Sequence, residues 1–281
     1  VKGDWNLNSS NKISVRYNQL DSDTDVLLSN SSSLGFGTRR TNTTGLNFAN
    51  SNYKIMENIK SIVGEWNSVY GTNMTNNMIV GYTKQDESRG SLGTFFPFVD
   101  ILSGGSVYTS FRFEPFTPNN ELRYNTFQFQ DNFSRFGTKH TLTFGYTAEK
   151  YRSENVFFPG SQSVYTFNSL QDFYASANGD PNVTVFRFQV RWNNIPGQDK
   201  PIQPLEVFYT GAYVQDEWRV RDNLKVTAGL RFDVPIFGET GYRNANADAL
   251  TFRDEKGNPV HYDTAKLPDA NILWSPRVGF N

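Results

Sequence analysis

Few residues in this chain have the type and spacing that chemistry requires. The two histidines, His140 and His261, lie far apart in sequence. A strand or rim histidine is the simpler reading of His140, against a general base. Asp21-Ser22-Asp23-Thr24-Asp25 has the opening of a calcium loop. Such a loop needs glycine at its sixth position and glutamate at its twelfth, where Val26 and Ser32 stand. A solvated acidic loop is expected, with an ad hoc calcium site as the alternative on ligand type alone. Gly35-Phe36-Gly37 and Gly104-Gly105 lack the strand–helix context of a phosphate loop and read as turns. The absence of cysteine removes disulfides, thiolate zinc sites and cysteine nucleophiles together. No convincing carboxylate pair stands out for glycan chemistry. The chain is therefore expected to be no enzyme, with no catalytic residue, metal site or cofactor.

The elements that would position any site have to explain an odd composition. Over 281 residues only 37% are hydrophobic, yet 15% are aromatic, and the formal net charge is -1. That charge lacks the basic footprint of a nucleic-acid binder, and no apolar run is long enough for a transmembrane helix. Strands that alternate apolar with polar residues reconcile the two percentages. Thr141 to Glu149 alternates in this way, with Leu142, Phe144, Tyr146 and Ala148 on one face. From Lys225 to Val234, Val226, Ala228, Leu230, Phe232 and Val234 oppose Lys225, Thr227, Arg231 and Asp233. Thr184 to Trp192 reads the same way. Longer and weaker strands are expected over 3–9, 11–20, 56–70, 76–87, 122–135, 206–220 and 271–281. The one helical candidate is Ser169 to Ala175, with Asn168 as its possible N-cap.

Connections alternate in length. Short ones fall near Ser9 to Asn11, Tyr70 to Asn77, Phe136 to Thr138 and Arg221 to Asn223; long ones cover about 21–55, 88–121, 153–205 and 237–270. Compact soluble domains rarely carry several loops this long. Outer-membrane barrels do, with short periplasmic turns and longer extracellular loops. Aromatics near strand ends (Trp5, Trp66, Tyr70, Phe133, Phe136, Tyr151, Trp218 and Trp274) fit the interfacial girdles of such barrels. The long segment 94–118 is itself aromatic, as in Phe95-Phe96-Pro97-Phe98 and Phe111-Arg112-Phe113. It either packs its rings on itself or closes over the barrel mouth as a ligand contact.

The stretch Tyr213-Val214-Gln215-Asp216-Glu217-Trp218, followed by Asn223-Leu224 and Gly229-Leu230-Arg231-Phe232-Asp233, resembles a barrel hairpin of TonB-dependent outer-membrane receptors. Phe232 stands where that family usually has tyrosine. Ser275-Pro276-Arg277-Val278-Gly279-Phe280 looks like the strand that follows. Gly64-Glu65-Trp66, Val80-Gly81-Tyr82 and Phe167-Asn168-Ser169-Leu170-Gln171-Asp172-Phe173 are similar to the Oar-like branch, which carries a carboxypeptidase-regulatory-like domain. The resemblance implies that Tyr213, Gln215, Asp216, Glu217, Trp218, Gly229, Leu230, Arg231, Pro276 and Arg277 form a structural signature. Period two puts Asp216 beside Trp218, so Asp216 should lie at the periplasmic rim unless a bulge turns it inward.

The expected fold is all-β: an antiparallel up-and-down transmembrane β-barrel, present as an incomplete segment of about nine strands with long extracellular loops. Residues 1–281 are expected to be an internal part of a TonB-dependent receptor barrel, with signal peptide, regulatory-like domain, plug and remaining strands lying outside it. The resemblance implies an outer-membrane location in a Gram-negative bacterium, contact with outer-membrane lipid, and energised uptake of an unidentified ligand through the TonB complex. Arg231, Asp233, Glu149 and Lys225 would then line the lumen around the plug. The alternative is a surface β-sandwich, an adhesin or ligand-binding module without transport, whose apolar faces pack between two sheets.

Overall fold

A computed structural model describes residues 1–31, 40–117, 119–238 and 242–281. The chain opens with the hairpin β1 (Lys2–Asn8) and β2 (Asn11–Val26). A long connection carrying the two-residue β3 (Leu46–Asn47) leads to the hairpin β4 (Tyr53–Tyr70) and β5 (Met74–Asp86). The next connection holds β6 (Arg89–Ser91), β7 (Phe98–Ser103) and β8 (Ser106–Phe111). The hairpin β9 (Asn120–Phe136) and β10 (His140–Phe157) follows. The third connection contains β11 (Val164–Phe167), α1 (Leu170–Ala177) and β12 (Arg187–Gln189). The fourth hairpin is β13 (Ile202–Arg221) with β14 (Leu224–Phe237). After α2 (Ala245–Asp248) and the small hairpin β15 (Phe252–Arg253) and β16 (Pro259–Val260), the chain reaches β17 (Leu273–Phe280).

The main sheet runs β1-β2-β4-β5-β9-β10-β13-β14-β17, antiparallel throughout, with β6 beside β4. This is the expected up-and-down wall of nine strands. It is open, with β1 and β17 at its edges. Its registers place the alternating sets of Thr141 to Glu149 and of Lys225 to Val234 on the same face. Across four strands the row Tyr17, Ile62, Tyr82 and Phe127 is continuous. It goes on through Lys150, Phe208 and Ile236. These rings and aliphatics are not covered: Ile62 is 50% exposed and Phe144 48%. A sandwich would bury that face against a second sheet, so the sandwich alternative does not describe this fold. The opposite face is polar and bonded across strands. Glu65, Asn67 and Asn77 form one cluster, Gln128 donates to Glu149, and Arg231 donates to Asp233 and Thr147.

Several strands run longer than alternation indicates. β2 continues to Val26, so Asp21, Asp23 and Asp25 belong to a strand rather than a loop, and Lys54 pairs with the last two. β10 continues eight residues past Glu149. One step beyond the Tyr17 row, the outer face turns polar along Gln19, Lys60, Lys84, Asn125, Arg152 and Glu206. A membrane crossing needs about 9–11 residues per tilted strand. β4, β9, β10 and β13 are 17 to 20 residues long and stand well clear of it on the long-connection side.

Two further expectations need correction. The strand proposed over 184–192 is only Arg187–Gln189 and lies outside the wall. The helix N-cap is Ser169, whose side chain accepts from the Asp172 N–H, and not Asn168. Gly104 and Gly105 do form a turn, both at positive φ between β7 and β8. Gly35-Phe36-Gly37 lies outside the described residues.

Candidate functional site

The long connections are not independent loops. Strands from three of them make a second sheet in the order β12-β11-β7-β8-β3, with β11 parallel to β7 and β3 parallel to β8. Short connections cannot join parallel strands; these pairs exist because separate hairpins deliver their tips to the same side. On one face of this cap Phe98 packs with Leu28, Val164 and Phe116. On the other, Val99, Ile101 and Phe167 pack with Phe111, Leu170 and Phe173, which brings α1 onto the sheet.

A buried charge cluster ties the first two connections together. The Arg40 guanidinium donates from Nε and Nη2 to the two oxygens of Asp100 at 3.2 and 3.1 Å, and Ser110 adds a hydroxyl donor at 2.6 Å. Arg40 is fully buried and lies 4.9 Å from the Phe98 ring centroid. Nearby, buried Glu114 accepts from the Phe116 and Thr117 N–H groups through Oε2, while its Oε1 has no hydrogen-bond partner among the described residues. Burial holds the carboxyls of Asp100 and Glu114 above their usual range, against the pull of Arg40 and of these donors.

Between the outer face of the cap and α1 lies an open groove of about 690 Å³. Its floor is Phe111, which meets Phe48 edge-on at 5.8 Å and Phe173 at 5.5 Å. Leu46, Tyr108 and Tyr174 form exposed walls. All three connections thus contribute. Arg112 stands at the rim with φ +81°, a conformation that costs a non-glycine residue roughly 1–3 kcal/mol. Its N–H donates to Asn50, and its guanidinium lies 4.8 Å from the Phe96 ring centroid. Among the described residues it is the one charged residue lining the groove. Within the aromatic segment Phe98 and Phe111 pack in the cap, while Phe95, Phe96 and Tyr108 stay exposed.

The family-signature residues gather elsewhere, on β13, β14 and β17. Tyr213, Gln215, Gly229, Arg231 and Arg277 surround a hollow of about 360 Å³ on the polar face. Tyr213 covers Gly145, where an added Cβ would lie 1.9 Å from the ring, and its hydroxyl donates to Asn132 at 2.8 Å. Glu217 accepts from Lys225. Leu230 and Pro276 pair with each other on the apolar face. Asp216 and Trp218 also lie on the apolar face, as period two requires. His140 stacks on Trp218 with 7° between the planes, and its Nδ1 lies 2.7 Å from Asp216. No register shift occurs at Asp216; the shift is between Arg219 and Arg221. Asp216 therefore lies near the short-turn rim.

Besides the cap sheet and its groove, two side-chain features escaped the sequence reading. The buried Arg40, Asp100 and Glu114 are one. A single acid inside the apolar run Phe98-Val99-Asp100-Ile101-Leu102 was a signal for it, because a buried charge needs a partner. The other is Asp131, which faces outward between Met78 and Tyr146 and accepts from Asn76 at 2.7 Å. Among the described residues no group of three or more His, Asp or Glu side chains converges as a metal site.

An antiparallel wall with a bare apolar face, a hydrogen-bonded polar face and unequal rims defines a membrane β-barrel protein. The sequence matches the outer membrane beta barrel domain family over residues 1–281, and the chain belongs to that family. It is a protein of the Gram-negative outer membrane, with its apolar face in lipid. A comparison with curated proteins returned no match.

Proposed function

We propose that the chain forms part of the wall and outer cap of a TonB-dependent receptor that takes up a ligand captured at the cap, and that it catalyses no bond chemistry. The observation carrying this reading is the shared cap. Three long connections fold jointly into one sheet and leave an aromatic groove on it, instead of spreading as separate loops. A groove walled by rings with one arginine at its rim suits a ligand that presents an apolar or ring face together with an anionic group. The signature hairpin of β13 and β14 supports the TonB-dependent and Oar-like assignment through resemblance. The lumen face, with Arg231, Asp233, Glu149 and Lys225, offers the charged lining against which a plug would pack.

The test is growth profiling of the source bacterium on iron chelates, vitamins, oligosaccharides and peptides. Deleting the gene and inactivating TonB should abolish use of the same nutrient. Phe48→Ala with Tyr108→Ala should weaken its capture about tenfold or more, as loss of aromatic anchors does at a binding site. Uptake of every tested ligand unchanged by the gene deletion would exclude transport of those ligands.

A further inference from the structure

Lys60 of β4 and Lys84 of β5 are directly opposite each other on the outer face of the wall. Both are exposed, and neither has a salt-bridge partner among the described residues. Like charges directly opposite on paired strands are destabilising, and the neighbouring cations show the usual remedy: Lys54 pairs with Asp23, Arg123 with Asp86 and Lys150 with Glu206. This pair alone of its row is left without one. The two lysines line a niche of about 250 Å³, closed by Asp21, Asn58 and Asp86. Asp86 is committed to Ser88 and Arg123, and Asp21 to Gln19.

Position decides what could neutralise the pair. Ile62 and Tyr82 are the next outward-facing residues on the same strands, about 7 Å toward the membrane at 3.3 Å per residue. Tyr17 continues that row. On the other side, toward the long connections, Asp21, Asn58 and Asp86 form the following row. An anion is repelled from above by the two carboxylates and attracted from below by the two ammonium groups. Its attached apolar part meets Tyr17, Ile62 and Tyr82.

We propose that Lys60 and Lys84 form a binding site for the phosphate group of an acylated lipid in the outer leaflet, with its chains lying on the Ile62 and Tyr82 row. The inference is independent of the transport reading, because it concerns the outer face of the wall. The test uses the full-length protein extracted from outer membranes in non-ionic detergent and examined by native mass spectrometry. Bis-phosphorylated lipid A, its dephosphorylated form and inorganic phosphate serve as probes. Lipid A should remain bound, its dephosphorylated form should bind about tenfold or more weakly, and inorganic phosphate should not bind. Lys60→Gln with Lys84→Gln should lower lipid A binding by a similar factor. Lys60→Arg with Lys84→Arg should retain it, and so should Lys54→Gln, which removes a cation already paired. Equal binding by the double glutamine variant, or equal binding of the dephosphorylated lipid, would overturn the proposal. Binding of inorganic phosphate as strong as that of lipid A would overturn the lipid source.

Discussion

Gly145 shows how closely single residues are fitted in the wall. Its missing side chain is the space the Tyr213 ring occupies, so Gly145→Ala must move that ring and break its bond to Asn132. Overpacking of this kind costs about 1–3 kcal/mol; the melting temperature in detergent should fall, and Tyr213→Phe, which keeps the ring, should lower it less. Glu114 makes a prediction of opposite character. Its folded-state affinity for a proton is raised above the usual carboxyl value of 4.5. The folded cap therefore binds that proton more tightly than the unfolded chain does. The resulting increment of cap stability is fully present below pH 4.5 and is lost as pH rises through the raised folded value. Carboxylates held below their usual range, such as Asp248 and Asp254, respond in the reverse sense, and Asp100 in the same one, so the comparison must be with Glu114→Gln. The difference in melting temperature between the original protein and this variant should shrink toward acid pH and favour the variant at neutral pH. A difference independent of pH would assign Glu114 no such role.

At the scale of elements, the wall strands were readable because one face meets lipid and the other meets polar neighbours, which imposes period two. That signal stops where the constraint stops. Past Glu149, β10 has Lys150, Arg152 and Glu154 on its outer face, so the pattern looks like a polar loop although the ladder with β9 and β13 continues to Val156. The cap strands were hidden for a different reason. Phe98 to Leu102 is buried on both faces and shows no alternation, and one of its two partner strands, β11, comes from another connection. Asp216 and Trp218 share a face as alternation indicates, and the aromatic groove was not foreseen, since it requires Phe48, Phe111 and Phe173 to meet. Asp100→Ala tests how far the cap depends on its buried ion pair. Removing this carboxylate from beside the buried Arg40 should cost about 3–5 kcal/mol. Limited proteolysis should then cut the long connections while the wall hairpins stay protected.

For the whole molecule, the two faces of the wall should tolerate charge very differently. Phe144→Arg places a cation on the lipid face and should cost up to about 2–4 kcal/mol toward the bilayer midplane. Thr143→Arg, one residue away on the polar face, should assemble normally. Heat-modifiable gel migration of the outer-membrane fraction reads both variants; equal assembly would mean that the faces are assigned wrongly. The composition that made the sequence look contradictory follows from the same division. Aromatics face lipid along the wall and pack within the cap, while polar residues fill the other face of the wall and the rest of the connections.

The parallel pairing of Val164 with Phe98 and of Leu46 with Thr109 has a consequence for assembly. The partners belong to connections carried by different hairpins and separated by long stretches of chain. They can meet only after each hairpin has delivered its tip across the bilayer in the right order. Cap formation is thus a late event that registers the success of earlier ones. A hairpin that stalls leaves an unpaired strand on the cell surface, and antibody or protease access to β7 would report misassembly from outside the cell.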